Sequence, residues 1–180
     1  LTVQPLAFPP ERELPFRATP QLDERELGLR SANAADLPFL RRLYAASRAA
    51  EFAGIPWTEE TKQVFFDNQF DMQHRHYVTC FLSVDFLIVL CRGEPVGRLY
   101  LHETEHELSI TDILLEQAVQ GQGIGSALLH WVQAWVRDRE LAALTLHVEL
   151  RNEAARRLYE RHGFVAGDID GAHLRMAWRP

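Results

Sequence analysis

The sequence predicts an α/β fold: a mixed, mostly antiparallel central sheet with helices on both faces. Three observations carry this. Residues 86–91 and 96–102 are apolar runs separated by Gly93-Glu94-Pro95, which reads as an antiparallel hairpin. Residues 108–115 form an apolar strand that runs into the glycine-rich stretch Gln120-Gly121-Gln122-Gly123-Ile124-Gly125. An amphipathic segment from Ser126 to about Arg137 follows, and then another strand at 144–148, so this half of the chain alternates strand, helix, strand.

Taken in order, residues 1–26 carry five of the nine prolines and the mixed-charge patch Asp23-Glu24-Arg25-Glu26. Proline fixes φ and removes a ladder donor, so this stretch is expected to be an arm or an irregular edge, with one domain over 27–180. Residues 27–31 alternate briefly as a first strand. Asn33 to Asp36 supply caps for a helix in which Leu37, Leu40, Leu43 and Tyr44 recur at helical spacing, with Pro38 in its first turn and Gly54-Ile55-Pro56 as its breaker. A second helix is expected from about Thr58, half a capping box, and carries Val64, Phe65, Phe66, Phe70 and Met72. Trp57, Phe66, Phe70 and Tyr77 are expected mostly in the core, some of them lining a cleft.

The strand at 108–115 has a defect in phase. Leu108 and Ile110 share one parity, Ile113 and Leu115 the other, and a strict period of two cannot keep all four on one face. Either both faces of the strand are buried or a β-bulge near residues 111–114 shifts the phase, and the bulge is the expectation. After the glycine stretch, Ile124, Leu128, Trp131, Val132, Trp135 and Val136 mark a buried helix face. Asn152 caps a short helix with Ala155, Leu158 and Tyr159 on one side, and Gly163 stands where a left-handed residue ends it. Residues 164–165 and 173–178 read as closing strands joined by the turn-rich segment 167–171. Glu103, Glu105 and Glu107 read as a solvated hairpin tip.

Composition sets limits. The chain has 180 residues, is 47% hydrophobic and 24% charged, and suits one ordinary globular domain. Its net charge of -6 argues against a nucleic-acid partner. Two cysteines, Cys80 and Cys91, make no disulfide framework and are expected as buried free thiols. No apolar run approaches the roughly 18 residues of a membrane helix, and no basic-then-apolar leader is visible. The expected location is therefore the cytoplasm, away from membranes. A homodimer is the commonest outcome where such chains associate.

Strand, glycine turn and helix together make an anion seat. Glycines let the backbone turn and approach a ligand, and a helix start offers unpaired N–H groups. A Walker loop fails because Gly125 is followed by Ser126-Ala127 instead of Lys-Ser/Thr. A dinucleotide fingerprint would use Gly121 and Gly123 and place Glu149 as the ribose acid, but it meets Ser126 at its third glycine and leaves too little chain for a doubly wound domain. Gln120-x-x-Gly123-x-Gly125, followed by Asn152-Glu-Ala-Ala-Arg-Arg-Leu-Tyr159-Glu-Arg-His-Gly163-Phe164, resembles the GNAT superfamily of acetyl-CoA-dependent N-acetyltransferases. The resemblance covers about residues 86–178; the first third of the chain holds no diagnostic residue.

The resemblance implies acetyl-CoA as cosubstrate, no metal, a splayed and bulged strand at the coenzyme site, and direct transfer to a primary amine of a small molecule or peptide. Gln120, Gly121, Gln122, Gly123, Ile124, Gly125 and Ser126 would seat the diphosphate through backbone N–H groups. Leu114 and Leu115 would offer backbone to the thioester oxygen and the pantetheine arm. Asn152 would bind that arm, and Tyr159 would protonate the departing sulfur. Asp112, on the bulged strand, is the first choice of base, with His147 and His102 as alternatives. Each residue also has a plainer reading: Leu114 and Leu115 as core, Asn152 as a helix cap, Tyr159 as a packing ring, Asp112 as a strand-end hydrogen-bonding group, His147 as a core histidine. His102 and His106 fall in a strand connection, unlike a helical metal pair. The alternative from another class is a non-catalytic acyl-CoA-binding or regulatory module, which would keep the glycine loop without needing Tyr159 or a base.

Overall fold

A computed structural model describes residues 7–10, 19–80 and 84–180. Of the proline-rich arm, residues 1–6 and 11–18 lie outside the described residues, as does the side chain of Cys80. Helix α1 (Pro20–Asp23) precedes strand β1 (Leu27–Ser31). A capping box then starts the next helix: the Asn33 side chain accepts from the Ala35 N–H, and Asp36 accepts from the Asn33 N–H, each at 2.9 Å. Helix α2 (Leu37–Arg48) stops before the expected glycine–proline break, passing into a 3-10 turn over Ala49–Phe52. Helix α3 (Glu59–Cys80) opens on Thr58, whose hydroxyl accepts from the Thr61 N–H at 3.2 Å.

Strands β2 (Val84–Cys91), β3 (Glu94–Glu103) and β4 (Glu107–Leu115) follow as an antiparallel meander. The β2–β3 turn is tighter than its glycine–proline composition suggests. Arg92 (φ 52°) and Gly93 (φ 83°) make it alone, the left-handed pair that matches strand twist, and Glu94 and Pro95 already belong to β3. Helix α4 (Ile124–Asp138) then crosses over to β5 (Ala143–Glu149), which lies parallel to β4 because a helical crossover returns the chain in the same direction. Helix α5 (Glu153–Arg161), β6 (Val165–Asp170) and β7 (His173–Trp178) complete a seven-stranded sheet in the order β1-β2-β3-β4-β5-β7-β6.

The segment 167–171, expected as a turn, is mostly strand. β6 runs through Gly167 to Asp170, every residue exposed, with irregular pairing between Ala166 and Ile169. Its glycine and aspartates belong to a bulged sheet edge, where exposed charge and poor regularity discourage pairing with another chain.

Successive residues of β2 sort the two faces of the sheet. Leu87 and Val89 join the larger core with α4, α5 and β5, whereas Phe86 and Ile88 join a second core with Leu40 of α2 and Phe70 of α3. Strand β4 resolves its phase defect as the sequence requires. Tyr100 pairs with Asp112 and Leu101 with Ile110, so Thr111 is the extra residue of a bulge. Leu108, Ile110, Ile113 and Leu115 thereby all pack on the larger core.

Beside the bulge, β3 and β4 approach closely at Gly97, where an added Cβ would stand 2.5 Å from the Leu114 carbonyl oxygen and 2.6 Å from Leu115 Cδ2. Gly97→Ala is expected to lower the unfolding free energy by about 1–3 kcal/mol through overpacking. A denaturant titration with an unchanged slope would show it; a midpoint equal to the parent's would refute it.

Candidate active site

The glycine stretch lies between a strand and a helix start, as its spacing predicts. β4 ends at Leu115, and a 3-10 turn over Gln117–Val119 leads into the loop. Gly121 (φ 75°) and Gly123 (φ 81°) occupy the left-handed region, which an L side chain enters only with strain. Gly123 is the N-cap of α4, and the first intrahelical bond runs from the Ala127 N–H to its carbonyl at 3.0 Å. The N–H groups of Ile124, Gly125 and Ser126 therefore stand at the open helix end, whose first turn holds no acidic residue. Gly125 is needed for closeness: a Cβ there would lie 3.2 Å from Leu158 Cδ2 of α5.

The side chains of this loop turn back on the protein. The Gln120 amide donates to the Leu115 carbonyl at 2.9 Å and the Gln122 amide to the Ala118 carbonyl at 2.8 Å. Ser126 Oγ lies 2.9 Å from His162 Nε2, and Gln133 donates to the His162 carbonyl at 2.8 Å, fastening the start of α4 to the end of α5. Burial, with the neighbouring His130 and Arg161, holds the His162 imidazole below the usual histidine range. The sequence reading passed over His162 inside the Tyr159–Gly163 block.

β4 and β5 are hydrogen-bonded only from Glu107/Ala143 to Ile110/Leu146. Beyond that, Ile113, Leu114 and Leu115 pair with β3 alone, while His147, Val148 and Glu149 pair with β7 alone. A cavity of about 260 Å³ lies between the two strand ends, lined among others by Asp112, Ile113, His147, Glu149, Asn152 and Tyr159. Tyr159 reaches it from the larger core, 6% exposed with its ring 5.6 Å from that of Phe164. Among the described residues its hydroxyl makes no hydrogen bond. Burial, reinforced by the Asp112 charge, pushes the phenol up to about 12. Asn152 caps α5, as expected, by accepting from the Ala155 N–H at 3.1 Å, and it also lines the cavity.

Asp112 enters the cavity from the opposite face, and it does not stand alone. Arg98 of β3, 2% exposed, places Nη2 2.5 Å from Asp112 Oδ2 and 3.0 Å from Gln73 Oε1 of α3. Its guanidinium also lies 5.2 Å from the Tyr100 ring centre. Burial works against the Arg98 charge, but the Asp112 carboxylate together with Tyr100 and Tyr77 outweighs it, so the guanidinium is held above its ordinary range. Tyr77 lies well above the usual phenol range through burial and the same carboxylate, and burial pushes Tyr100 up to about 12 despite Arg98. The site thus has a buried ion pair where the sequence suggested a lone carboxylate. Its one legible sign was a single charge, Arg98, inside an otherwise apolar strand.

The alternative histidines separate. His147 is exposed at the cavity mouth, not a core histidine, and His173, which the sequence reading did not single out, stands there with it. His102 pairs with Ser109 ahead of the bulge and does not line the cavity. Glu149, also at the mouth, accepts from Arg151 Nε at 2.7 Å, a bond that holds its carboxyl below the usual range. Arg151 reaches Glu51 at 3.2 Å and Arg48 lies 2.9 Å from Glu51, so charge pairs tie the end of α2 to the end of β5. Beyond Glu51, the rings of Phe52, Trp57, Phe65 and Phe66 pack together at 5.0–6.0 Å between centres. Glu103 is not part of a solvated tip: it accepts from Trp135 Nε1 at 2.8 Å and from Arg139 at 2.6 Å. Cys91 is a half-buried free thiol away from the cavity. Among the described residues, no group of three His, Cys, Asp or Glu could hold a metal ion, and no helix is long and apolar enough to cross a membrane.

The profile of the acetyltransferase (GNAT) family matches residues 37–164. The chain belongs to that family. The acetyltransferase is similar to the uncharacterized N-acetyltransferase YycN of Bacillus subtilis, 28% identical over 142 residues, 74% of this chain and 86% of the relative. It also resembles streptothricin acetyltransferase A of the same organism, 31% identical over 117 residues, 63% of this chain and 67% of that one. Its fold is shared with the PaiA N-acetyltransferase of Thermoplasma acidophilum, solved in complex with coenzyme A: TM-score 0.65 at 19% identity, covering 86% of this chain and 99% of that chain. The protein is accordingly an N-acetyltransferase of the α/β class that uses acetyl-CoA.

The residues present fit such a coenzyme. The loop offers backbone N–H groups at a helix end for phosphate oxygens, and β4 beyond Ile110 has no strand partner on its β5 side. The ion pair behind Asp112 is expected to matter for stability. Arg98→Met leaves a buried carboxylate without its partner and should cost about 3–5 kcal/mol, much of it recovered when Asp112→Asn is added. Chemical denaturation of both variants checks this; equal losses in the single and double variants would contradict it.

Proposed function

We propose that the acetyltransferase moves the acetyl group of acetyl-CoA to a primary amine by direct attack, with Tyr159 as acid and Asp112 as the group that receives the amine. Acetyl-CoA supplies an activated acyl carbon and a thiol leaving group. The observation that carries this reading is a cavity reached by a hydrogen-bond donor from one face of the sheet and a carboxylate from the other.

The loop from Gln120 to Ser126 binds the diphosphate through its backbone, with Gly121, Gly123 and Gly125 giving the approach and Gln120 and Gln122 bracing it. Leu114 and Leu115 lie past the last β4–β5 pair, so their backbone is available to align the pantetheine arm and to direct an N–H at the thioester oxygen. Asn152, on the rim, orients the same arm. In the transfer a C–N bond forms, a C–S bond breaks, and two protons move.

Tyr159 gives one proton to sulfur and is made whole by the second proton that the nitrogen sheds after attack. Its phenol is pushed up to about 12, so it stays protonated at neutral pH, and no other bond competes for its hydroxyl among the described residues. Asp112 takes the other role. Its carboxylate, backed by Arg98, first pairs with the incoming ammonium and then accepts its proton through water, which His147 at the mouth passes to solvent. Among the described residues no cysteine lines the cavity, and direct transfer needs none. The acceptor is a small-molecule or peptide amine. The similarity to a streptothricin acetyltransferase supports the former, and the net charge of -6 speaks against nucleic acid.

Thiol release from acetyl-CoA across a panel of amines tests this. Tyr159→Phe should lower kcat by about 10²–10⁴ with KM for acetyl-CoA unchanged within error. In the parent, kcat should not fall up to pH 10, because the acid titrates only near 12. Unchanged turnover by Tyr159→Phe would remove the acid assignment. Gly125→Val should abolish coenzyme binding by putting a branched side chain at the start of α4; because a Cβ there meets Leu158 at 3.2 Å, a melting curve must show that the variant is still folded.

A further inference from the structure

The end of the proline-rich arm is built into the fold beside the loop. Leu22 of α1 is 2% exposed in the larger core, and the Arg25 N–H donates to its carbonyl at 3.1 Å, in the turn that leads to β1. From there the Arg25 side chain crosses to the glycine loop, 97 residues away in sequence, and Nη1 donates to the Gln122 carbonyl at 3.1 Å. Its Nη2 lies 2.9 Å and its Cζ 3.0 Å from where a Cβ of residue 123 would sit. Gly123 is thus glycine for two reasons: its positive φ and the guanidinium laid against it.

This placement runs against the ordinary charge rule. A helix start carries partial positive charge and favours an anion; a cation beside it is unfavourable. Here α4 has no acid in its first turn, and Arg25 has no carboxylate partner among the described residues. The adjacent Glu26 is committed to Arg92 at 2.7 Å. Two sources of positive charge, the helix end and the guanidinium, therefore converge on one loop, and no described residue supplies a counter-charge there. Local conflicts of this kind are expected at functional sites, and an anionic ligand would relieve this one.

We infer that Arg25 is a direct ligand of the coenzyme's diphosphate, closing over the phosphates from the side opposite the helix N–H groups. This rests on the loop being the diphosphate seat. An arginine fork matches paired phosphate oxygens in a way that a backbone loop alone does not. The coenzyme site therefore extends to the turn between α1 and β1, outside residues 37–164, which the family profile covers.

Isothermal titration of the full chain with coenzyme A, dephospho-coenzyme A and pantetheine, for the parent, Arg25→Gln and Arg25→Lys, tests it. Arg25→Gln should weaken coenzyme A and dephospho-coenzyme A alike, each about tenfold, and leave pantetheine unchanged, with Arg25→Lys between it and the parent. The side chain is exposed, so the variants should fold with an unaltered melting temperature. Parent-like affinity in Arg25→Gln, equal losses for all three ligands, or a loss confined to coenzyme A, which would point to the 3′-phosphate, overturns the assignment. A parent protein that binds pantetheine but gains nothing from the phosphates would instead overturn the loop as the seat, and Arg25's role with it.

Discussion

Strand β4 carries one residue more than β3 can match, and Thr111 is that residue. Its hydroxyl donates to the Tyr100 carbonyl at 3.1 Å, so the bulge is fastened to the neighbouring strand. The site's geometry follows from it. Before the bulge β4 pairs with β5; from Asp112 onward it follows β3 alone. The extra residue also shifts phase, returning Ile113 and Leu115 to the larger core while turning Asp112 toward α3. Bulges are enriched beside active sites because they re-aim a side chain and end pairing at once. Here both effects meet at a single cavity.

The Arg98–Asp112 pair is a poor choice for stability alone. Removing two charges from water is expensive, and apolar residues of similar size usually serve a core as well or better. What the pair does is fix an ionised carboxylate in a packed interior. Arg98 is itself held by Gln73 of α3 and by the Tyr100 ring of β3, so the carboxylate's position is determined by both elements. The charge pairs joining Arg48, Glu51, Glu149 and Arg151 do a related job at the rim, in solvent, where each is worth little and the group together sets the spacing of α2 from β5.

Much of this was legible in the sequence because it is local. The bulge showed as a parity defect between Leu108/Ile110 and Ile113/Leu115, and the loop as glycines placed between a strand and an amphipathic helix. Gly163 read as a helix terminator and has φ 81°. What could not be read joins distant segments. Arg98 meets Asp112 and Gln73 only once three elements are assembled, and Arg25 meets Gly123 across most of the chain. The mistaken turn at 167–171 has another cause: a solvent-exposed sheet edge and a loop draw on the same residues, and only pairing to β7 separates them. His147 misled for a related reason, since alternation along β5 does not reveal that its outward face borders a cavity mouth.

Strand β7 is made after β6 yet lies between β5 and β6 in the sheet. Until Trp178 has been synthesised, β5 has an unpaired edge and Gly163 lacks the indole it packs against, 3.2 Å from its Cβ position. The strand carrying one wall of the cavity is therefore secured only after α5, β6 and β7 have been made. Translation at about 5–20 residues per second leaves that edge bare for seconds, a window in which a nascent chain depends on chaperones or on speed. For the same reason, losing residues 173–178 removes an interior strand of the sheet.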